Sequence, residues 1–188
     1  GASEGLSEGE IKEAALAAYA ELENYKQDVR DYGVSILREI ERTKQPAIML
    51  VGRPYHIDPE IHHGISDMIA SYGLAILSED AVYHLPVKGA GLNIVNQWSY
   101  HARLYHAAHF VAEHENLTLI QLSSFGCGLD AVTTGQVKSI LESHHRIYTM
   151  IKLDEVSNLG AARIRLRSLI AALARRRKTP FQPTAAEE

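Results

Sequence analysis

Residues 46–79, PAIMLVGRPYHIDPEIHHGISDMIASYGLAILSE, decide the fold. They open with AIMLVG, a short apolar run that ends at Gly52 and is typical of a strand buried on both faces of a parallel sheet. A polar loop, RPYHIDP, leads into a helical pattern, EIHHGISDMIASYG, which Gly73 closes as a C-cap. A second apolar run, LAILSE, follows. The stretch therefore predicts a strand–helix–strand unit with parallel strands.

The alternation of strand and helix continues from this unit to Arg175. Because crossovers between parallel strands are right-handed, it predicts an α/β fold: a small Rossmann-like three-layer sandwich around a four-stranded, mainly parallel sheet. We expect this domain to span residues 46–176 and to be followed by a disordered tail at 177–188. The further predicted elements are a helix at about 92–115, a strand at 117–125, a helix at 129–144, a strand at 146–153 and a helix at 158–177.

The N-terminal segment, residues 1–45, is predicted to be helical. Apolar side chains recur at helical spacing over residues 8–43, and Gly33 interrupts the pattern. The spacing predicts either one long helix or two shorter ones. Such a helix either covers a face or edge of the small sheet or marks where more protein is attached.

Composition excludes several classes of function. The 188 residues carry a formal net charge of −4, which argues against a nucleic-acid surface, and no apolar run approaches the roughly 20 residues of a membrane span. The single cysteine cannot form an internal disulfide, and the first residues do not resemble a signal peptide. We therefore expect a cytoplasmic protein whose partners include neither nucleic acid nor a membrane. The basic run at 175–178 is interpreted as a solvated helix end.

Polar residues follow the predicted strands at the edge where ligands bind in open parallel sheets, beyond the carboxyl ends of the strands. His56 follows the first strand, Asp80 the second, Cys127 the third and Asp154 the fourth. Loops there are exposed while the sheet fixes their positions, so their polar residues are candidates for function. Tyr55, His56 and Asp80 are accordingly candidate cofactor-binding residues.

The segment GCGLDA, residues 126–131, matches the glycine-rich pattern that binds dinucleotides between a strand and a helix. Gly126, Gly128 and Asp130 are its candidate cofactor-binding residues. Two features weaken this interpretation. Asp130 falls in the first helical turn, where its charge repels a pyrophosphate, and the segment belongs to the third strand–helix unit instead of the first.

Cys127 is the candidate metal ligand. A thiol at the start of a helix is exposed to free backbone N–H groups and to the positive end of the helix dipole, which favours the thiolate. Thiolates of this kind suit iron–sulfur clusters, but a cluster normally takes three or four ligands and this chain has one cysteine. On composition alone, a small buried apolar residue is the simpler interpretation.

The ten histidines do not form a recognised metal motif. His56, Asp58, His62 and His63 lack the helical spacing of known zinc sites, and a Ser–His–Asp site has no G-x-S-x-G elbow to support it. The helical segment NQWSYHARLYHAAHF, residues 96–110, mixes aromatic and polar residues. Its spacing predicts core positions at Trp98, Ala102 and Tyr105, and a polar stripe at Asn93, Gln97 and His101 that is either solvated or buried at a domain contact.

Four segments resemble a known family when taken together: VGRPYHIDPEIHHGI, QWSYHARLYHAAHFV, QLSSFGCGLDAV and IKLDEVSNLGAARIRLRSLI. They occur in the same order in the large ATPase–reductase proteins called activators of (R)-2-hydroxyglutaryl-CoA dehydratase, or CoA-substrate-specific enzyme activases. The similarity runs from about Pro46 to Leu173. One mild departure is Leu129, where the usual pattern has proline.

The resemblance implies a redox function. Such proteins join ATPase domains to a portion similar to the dehydratase D-component, in which Rossmann-like domains surround iron–sulfur clusters. ATP hydrolysis drives a low-potential electron toward a cluster, and the dehydratase uses it to form a ketyl radical of a 2-hydroxyacyl-CoA. On this resemblance Cys127 falls on a cysteine that ligates iron. The resemblance assigns no role to His56, Asp80 or Asp154.

The chain also departs from the family, because it lacks the phosphate-binding loops of the ATPase portion and any further cysteine. We therefore expect a fragment of an ATP-dependent electron-transfer activator, inactive alone, that contributes one ligand to an iron–sulfur cluster. ATP would act only through ATPase domains outside this chain. The expected partners are the remaining domains of the parent chain and 2-hydroxyacyl-CoA dehydratase. Two alternatives remain open: a nucleotide- or CoA-binding module, and a docking domain for the ATPase and dehydratase parts.

Overall fold

The computed structural model describes residues 5–88, 96–124, 128–153 and 159–176. It confirms the predicted fold class: a four-stranded, all-parallel sheet lies between helices, after a long N-terminal helix. The strands are β1 (Ala47–Val51), β2 (Ala75–Ser78), β3 (Leu117–Ser124) and β4 (Thr149–Leu153). The helices are α1 (Glu8–Thr43), α2 (Pro59–His62), α3 (Ile65–Ser71), α4 (Ser99–Glu113), α5 (Gly128–Ser143) and α6 (Gly160–Arg176). Short 3₁₀ turns cover Pro54–Ile57 and Glu79–Ala81.

The strand order is β2-β1-β3-β4, so β1 and β3 form the centre of the sheet. Met49 of β1 pairs with Leu77 on one side and with Leu119 on the other. Every residue of β1 and β3 is buried, as the continuous apolar runs predicted. After β1 the chain forms β2 on one side of β1, and it then crosses to the other side of β1 to form β3. The boundary between β1 and β3 is therefore the switch point of the sheet.

Alternate residues of β1 enter two separate hydrophobic cores. Met49 and Val51 pack with the C-terminal part of α1 and with α4 and α5. Ile48 and Leu50 pack with α3 and α6 on the opposite face. These two cores account for the three-layer sandwich. Within the part of the chain that the structure describes, no helix has the length and apolar character needed to cross a membrane.

Two predicted helix boundaries are wrong. The single helix expected after β1 is interrupted, because His63 and Gly64 adopt positive φ angles of 52° and 77° between α2 and α3. Residues 96–98 are not helical, so the helix expected from about residue 92 begins at Ser99. Gly73 has a positive φ of 72° just after α3, as the predicted C-cap requires.

Helix α1 is one continuous helix of 36 residues, and Gly33 does not break it. A capping box at its start joins the Ser7 side chain to the Glu10 backbone and the Glu10 side chain to the Ser7 backbone. Gly33 is buried against the 3₁₀ turn after β2: a Cβ added there would lie 2.7 Å from the Ala81 Cβ and 2.9 Å from the Ala81 carbonyl oxygen. The glycine therefore permits close contact between α1 and the domain.

We expect Gly33→Ala to lower the free energy of unfolding by about 1–2 kcal/mol, because forcing a methyl group against fixed backbone costs more than the roughly 1 kcal/mol of helix propensity that alanine gains. Urea unfolding measures the change. Gly135→Ala in α5 is the matched control, since a Cβ there meets no atom of the described ranges within 4 Å. It should stabilise the protein. Equal gains in both variants would contradict a tight contact at Gly33.

Candidate functional site

The carboxyl ends of β1 and β3 bring two loops together at the switch point of the sheet. The loop after β1 begins at Gly52, and α5 begins at Gly128 shortly after β3. Residues 125–127 join Ser124 to α5, so Cys127 and Gly126 lie outside the described residues. Asp154 and Asn93 also lie outside them. Their predicted roles remain predictions.

A buried histidine ties the β1 loop to the end of β3. Nδ1 of His56 accepts a hydrogen bond from the backbone N–H of Arg53 at 3.0 Å, so the neutral ring carries its proton on Nε2. Nε2 therefore donates to Ser124 Oγ at 3.0 Å. The Tyr55 hydroxyl lies 3.1 Å from the same Oγ. His56 is 1% exposed, so the network holds the two loops in a fixed position.

This network cannot activate Ser124 as a nucleophile. A general base must accept the proton of the serine hydroxyl, whereas the available His56 nitrogen already donates to it. Burial lowers the pKa of His56 below its ordinary value and favours the neutral ring; the charge of Asp130 opposes this shift, and the charge of Arg53 adds to it. Gly52 belongs to the same arrangement, because a Cβ there would lie 2.5 Å from His56 Nδ1.

Arg53 and Asp130 form an ion pair across the two loops. Nε and Nη2 of Arg53 lie 3.0 and 2.9 Å from the same carboxylate oxygen, Oδ1 of Asp130. The other oxygen, Oδ2, is buried without a hydrogen-bond partner in the described part of the chain. The Asp130 carboxylate lies in the first turn of α5, where a phosphate would have to bind, and it is already paired with Arg53. The pair weakens the phosphate-loop interpretation of Gly128 and its neighbours.

A cavity of about 350 Å³ opens between these loops and the start of α4. Its walls are largely apolar, and the Arg53–Asp130 pair supplies the charged part of its surface. Tyr55 and Tyr100 contribute aromatic rings at the rim, both about half exposed. The cavity is therefore the ligand-sized space that the topology places at the switch point.

Asp80 is not brought to this cavity. It follows β2, on the opposite side of β1 from β3, and its Oδ1 accepts a hydrogen bond from the Ser78 hydroxyl. The neighbouring Glu79, which sequence reasoning missed, is the more unusual residue. It is 5% exposed, and burial raises its pKa to about 7. No sequence signal distinguishes Glu79 from Asp80, because its burial depends on long-range packing.

Three other histidines, His62, His106 and His109, are packed into the described structure. His62 Nδ1 accepts from the backbone N–H of Ile65, and the His106 ring bonds to the Leu85 carbonyl oxygen. His109 is buried with its ring against the ring of His144, and neither of its ring nitrogens has a hydrogen-bond partner among the described residues. Across the described ranges, no three His, Cys, Asp or Glu side chains are close enough to hold a metal ion. This part of the chain does not contain a complete metal site.

The 96–110 segment is partly as predicted. Tyr105 is buried, but Trp98 is 49% exposed and precedes α4, so its predicted core position is wrong. Ala102 is half-buried and Gln97 is exposed. His101 is half-buried and lines the cavity, and its Nδ1 is buried without a partner among the described residues. The N-terminal end of α4 thus faces the candidate site.

Comparison with known proteins gives one family. Residues 1–82 match the family described as "CoA enzyme activase uncharacterised domain". The matched residues include α1, β1, β2 and the loop with Arg53, Tyr55 and His56. No curated protein and no solved structure matches the chain significantly. The family match supports a relationship to the CoA enzyme activases, and it does not extend to the segment that contains Cys127.

Proposed function

We propose that this chain is the α/β module of an ATP-dependent electron-transfer activator of the CoA enzyme activase type, and that Cys127 supplies one thiolate to an iron–sulfur site of the parent protein. The match over residues 1–82 supports the first part. The resemblance of QLSSFGCGLDAV supports the second. ATP hydrolysis is assigned to other domains of the parent, and the single cysteine suits a reducing cytoplasm.

The observation that carries the proposal is the position of the two residues that flank the loop. Ser124 is held at the end of β3 by His56 and Tyr55, and Gly128 is the first residue of α5. Cys127 is bonded directly to Gly128, next to the N-terminus of a 16-residue helix. Because Asp130 in the first turn is paired with Arg53, its charge opposes a thiolate less than a free carboxylate would.

The donor set limits what this chain contributes. It has a single cysteine, and its described residues hold no group of three metal-binding side chains. The chain therefore does not fit a whole cluster, and Cys127 can be only one ligand of a site that other thiolates complete. In the proposed arrangement, the chain's own groups position the loop that carries the thiolate.

Docking to other protein is supported by the surface of α1. Its N-terminal part extends beyond the domain and carries large apolar side chains that are about half exposed. Exposed apolar side chains that recur along one element are typical of interaction surfaces. We propose the remaining parent domains and 2-hydroxyacyl-CoA dehydratase as the partners. The residues concerned are Ile11, Leu16, Tyr19, Leu22 and Tyr25.

Anaerobic expression of the longer protein with Cys127→Ser tests the ligand role. We expect a lower iron content and a changed electron paramagnetic resonance spectrum. Gly128→Ala is the matched control, because it alters the adjacent residue without removing sulfur and its added Cβ meets no described residue within 4 Å. It should retain the iron. Iron content and spectrum unchanged in Cys127→Ser would rule the ligand role out.

A further inference from the structure

We propose that the cavity at the switch point, defined above by its position between the β1 and β3 loops and α4, binds an uncharged planar heterocycle with N–H and C=O groups along one edge. This is a different function from the iron–sulfur role of Cys127, and it needs no metal. The inference combines the topology, the balance of charge in the cavity, and two buried polar atoms that lack partners among the described residues.

The topology identifies the place. In doubly wound sheets ligands occupy the crevice at the switch point, which in this strand order lies between β1 and β3; flavodoxin, whose sheet begins with the same order, binds its flavin at that point. The cavity lies there, and its volume of about 350 Å³ is at the small end of the range for ligand sites. The cavity has room for a single ring system but not for a whole dinucleotide. Pro54, Leu104 and Leu122 provide apolar walls for such a ring.

The charge in the cavity disfavours an anionic ligand. Arg53 and Asp130 are paired, so their charges largely cancel at the cavity wall. A phosphate placed beside Arg53 would also lie beside the Asp130 carboxylate, which repels it. The GCGLDA segment therefore differs from a phosphate-binding loop in the environment of its helix N-terminus. A neutral ring incurs no such repulsion, and the two rim tyrosines can contact its faces.

The polar atoms define the edge of the ring. Asp130 is 9% exposed, and its Oδ2 is buried without a partner in the described ranges. As a carboxylate oxygen it only accepts hydrogen bonds, so the ligand must present an N–H or O–H group. His101 Nδ1, also buried and unpartnered there, can donate to a ligand carbonyl in one tautomer. A ring that carries an N–H group and a C=O group, as flavins and guanine do, supplies the kind of partner that each of these two atoms lacks.

Titration of the chain with riboflavin, followed by flavin fluorescence, and with guanosine, followed by calorimetry, tests the proposal and distinguishes the two ring sources. We expect one of them to bind. FMN should bind no more tightly than riboflavin, because the Asp130 carboxylate beside Arg53 offsets the attraction of that cation for the phosphate. No binding of either neutral compound, or much tighter binding of FMN, would overturn the proposal. Neither result bears on the iron measurement with Cys127→Ser.

Asp130→Asn sharpens the test. An asparagine whose carbonyl oxygen accepts from Arg53 places its NH₂ group opposite the ligand N–H. Two hydrogen-bond donors then face each other, so we expect at least about tenfold weaker binding. Asp67→Asn, at an exposed position on α3, should bind normally. Tyr100→Ala, at a half-exposed rim position, should weaken binding without loss of the folded state, which circular dichroism checks. Full affinity in both cavity variants would contradict the site.

Discussion

Replacing Glu79 with glutamine is expected to stabilise the protein by about 2–3 kcal/mol at about pH 8 and to change its stability little at about pH 4. Glu79 is buried at the end of β2, and its Oε2 has no hydrogen-bond partner within the described residues. Burial raises its pKa from 4.5 to about 7. Asp80 raises it further, whereas Arg103 and the backbone N–H of Glu79 oppose the shift. At alkaline pH the fold therefore has to hold an ionised carboxylate in a poorly solvated place.

The direction of the pH effect follows from linkage. Between pH 4.5 and about 7 the unfolded chain releases the Glu79 proton while the folded chain retains it. The contribution of Glu79 to stability is therefore complete below pH 4.5 and is lost as the pH rises through about 7. A shift from 4.5 to about 7 corresponds to about 3–4 kcal/mol at most, from roughly 1.4 kcal/mol per pKa unit. Glutamine keeps the shape of the side chain and cannot ionise.

Urea unfolding of both proteins at about pH 4, 6 and 8 gives the difference in the free energy of unfolding. Taking the difference removes the opposite pH dependence of His56, His101 and His109, whose pKa values are lowered by burial and which are common to both proteins. Glu60→Gln, an exposed glutamate on α2, is the control and should show no such trend. A Glu79→Gln difference that stays constant with pH would show that this carboxylate ionises normally in the folded protein.

The fold was predictable because its strands are short apolar runs separated by glycines and polar loops. Parallel strands buried on both faces leave this signal, as AIMLV in β1 shows. The helix boundaries were less predictable. His62 Nδ1 bonds to the backbone N–H of Ile65, and this local side-chain contact accompanies the change of direction at His63 and Gly64. Apolar spacing does not report such contacts.

The candidate site was predictable in its position but not in its contacts. The rule that ligands bind beyond the carboxyl ends of parallel strands placed His56 at this edge, and the glycine-rich pattern made Asp130 a candidate beside it; both lie there, whereas Asp80 does not. The partner of Asp130 is Arg53, which is 77 residues away in sequence, so no local pattern could reveal the pair. Glu79 was missed for a related reason, because α1 and α4 pack against the turn that carries it.

Removing Arg53 is expected to destabilise the fold by about 2 kcal/mol, less than the 3–5 kcal/mol of a fully buried pair because the Arg53 side chain is 32% exposed. Arg53→Ala leaves the Asp130 carboxylate, whose side chain is only 12% exposed, without its cation between β3 and the β1 loop. Asp130→Ala should cost less, since water can reach the remaining guanidinium. Arg42→Ala is the control, because its pair with Glu39 is fully exposed to solvent and should contribute little to stability.

The Arg53→Ala/Asp130→Ala double variant completes a thermodynamic cycle, measured by urea unfolding at neutral pH. The double variant removes both charges at once, so it should lose less stability than the sum of the single variants, and the shortfall measures the coupling of the pair. Coupling above about 1 kcal/mol is expected for two hydrogen bonds made to one poorly solvated oxygen. If the losses simply add, or if Asp130→Ala costs more than Arg53→Ala, the pair does not join the two loops. The cavity between them would then lack the rigid wall that recognition of a neutral ring requires.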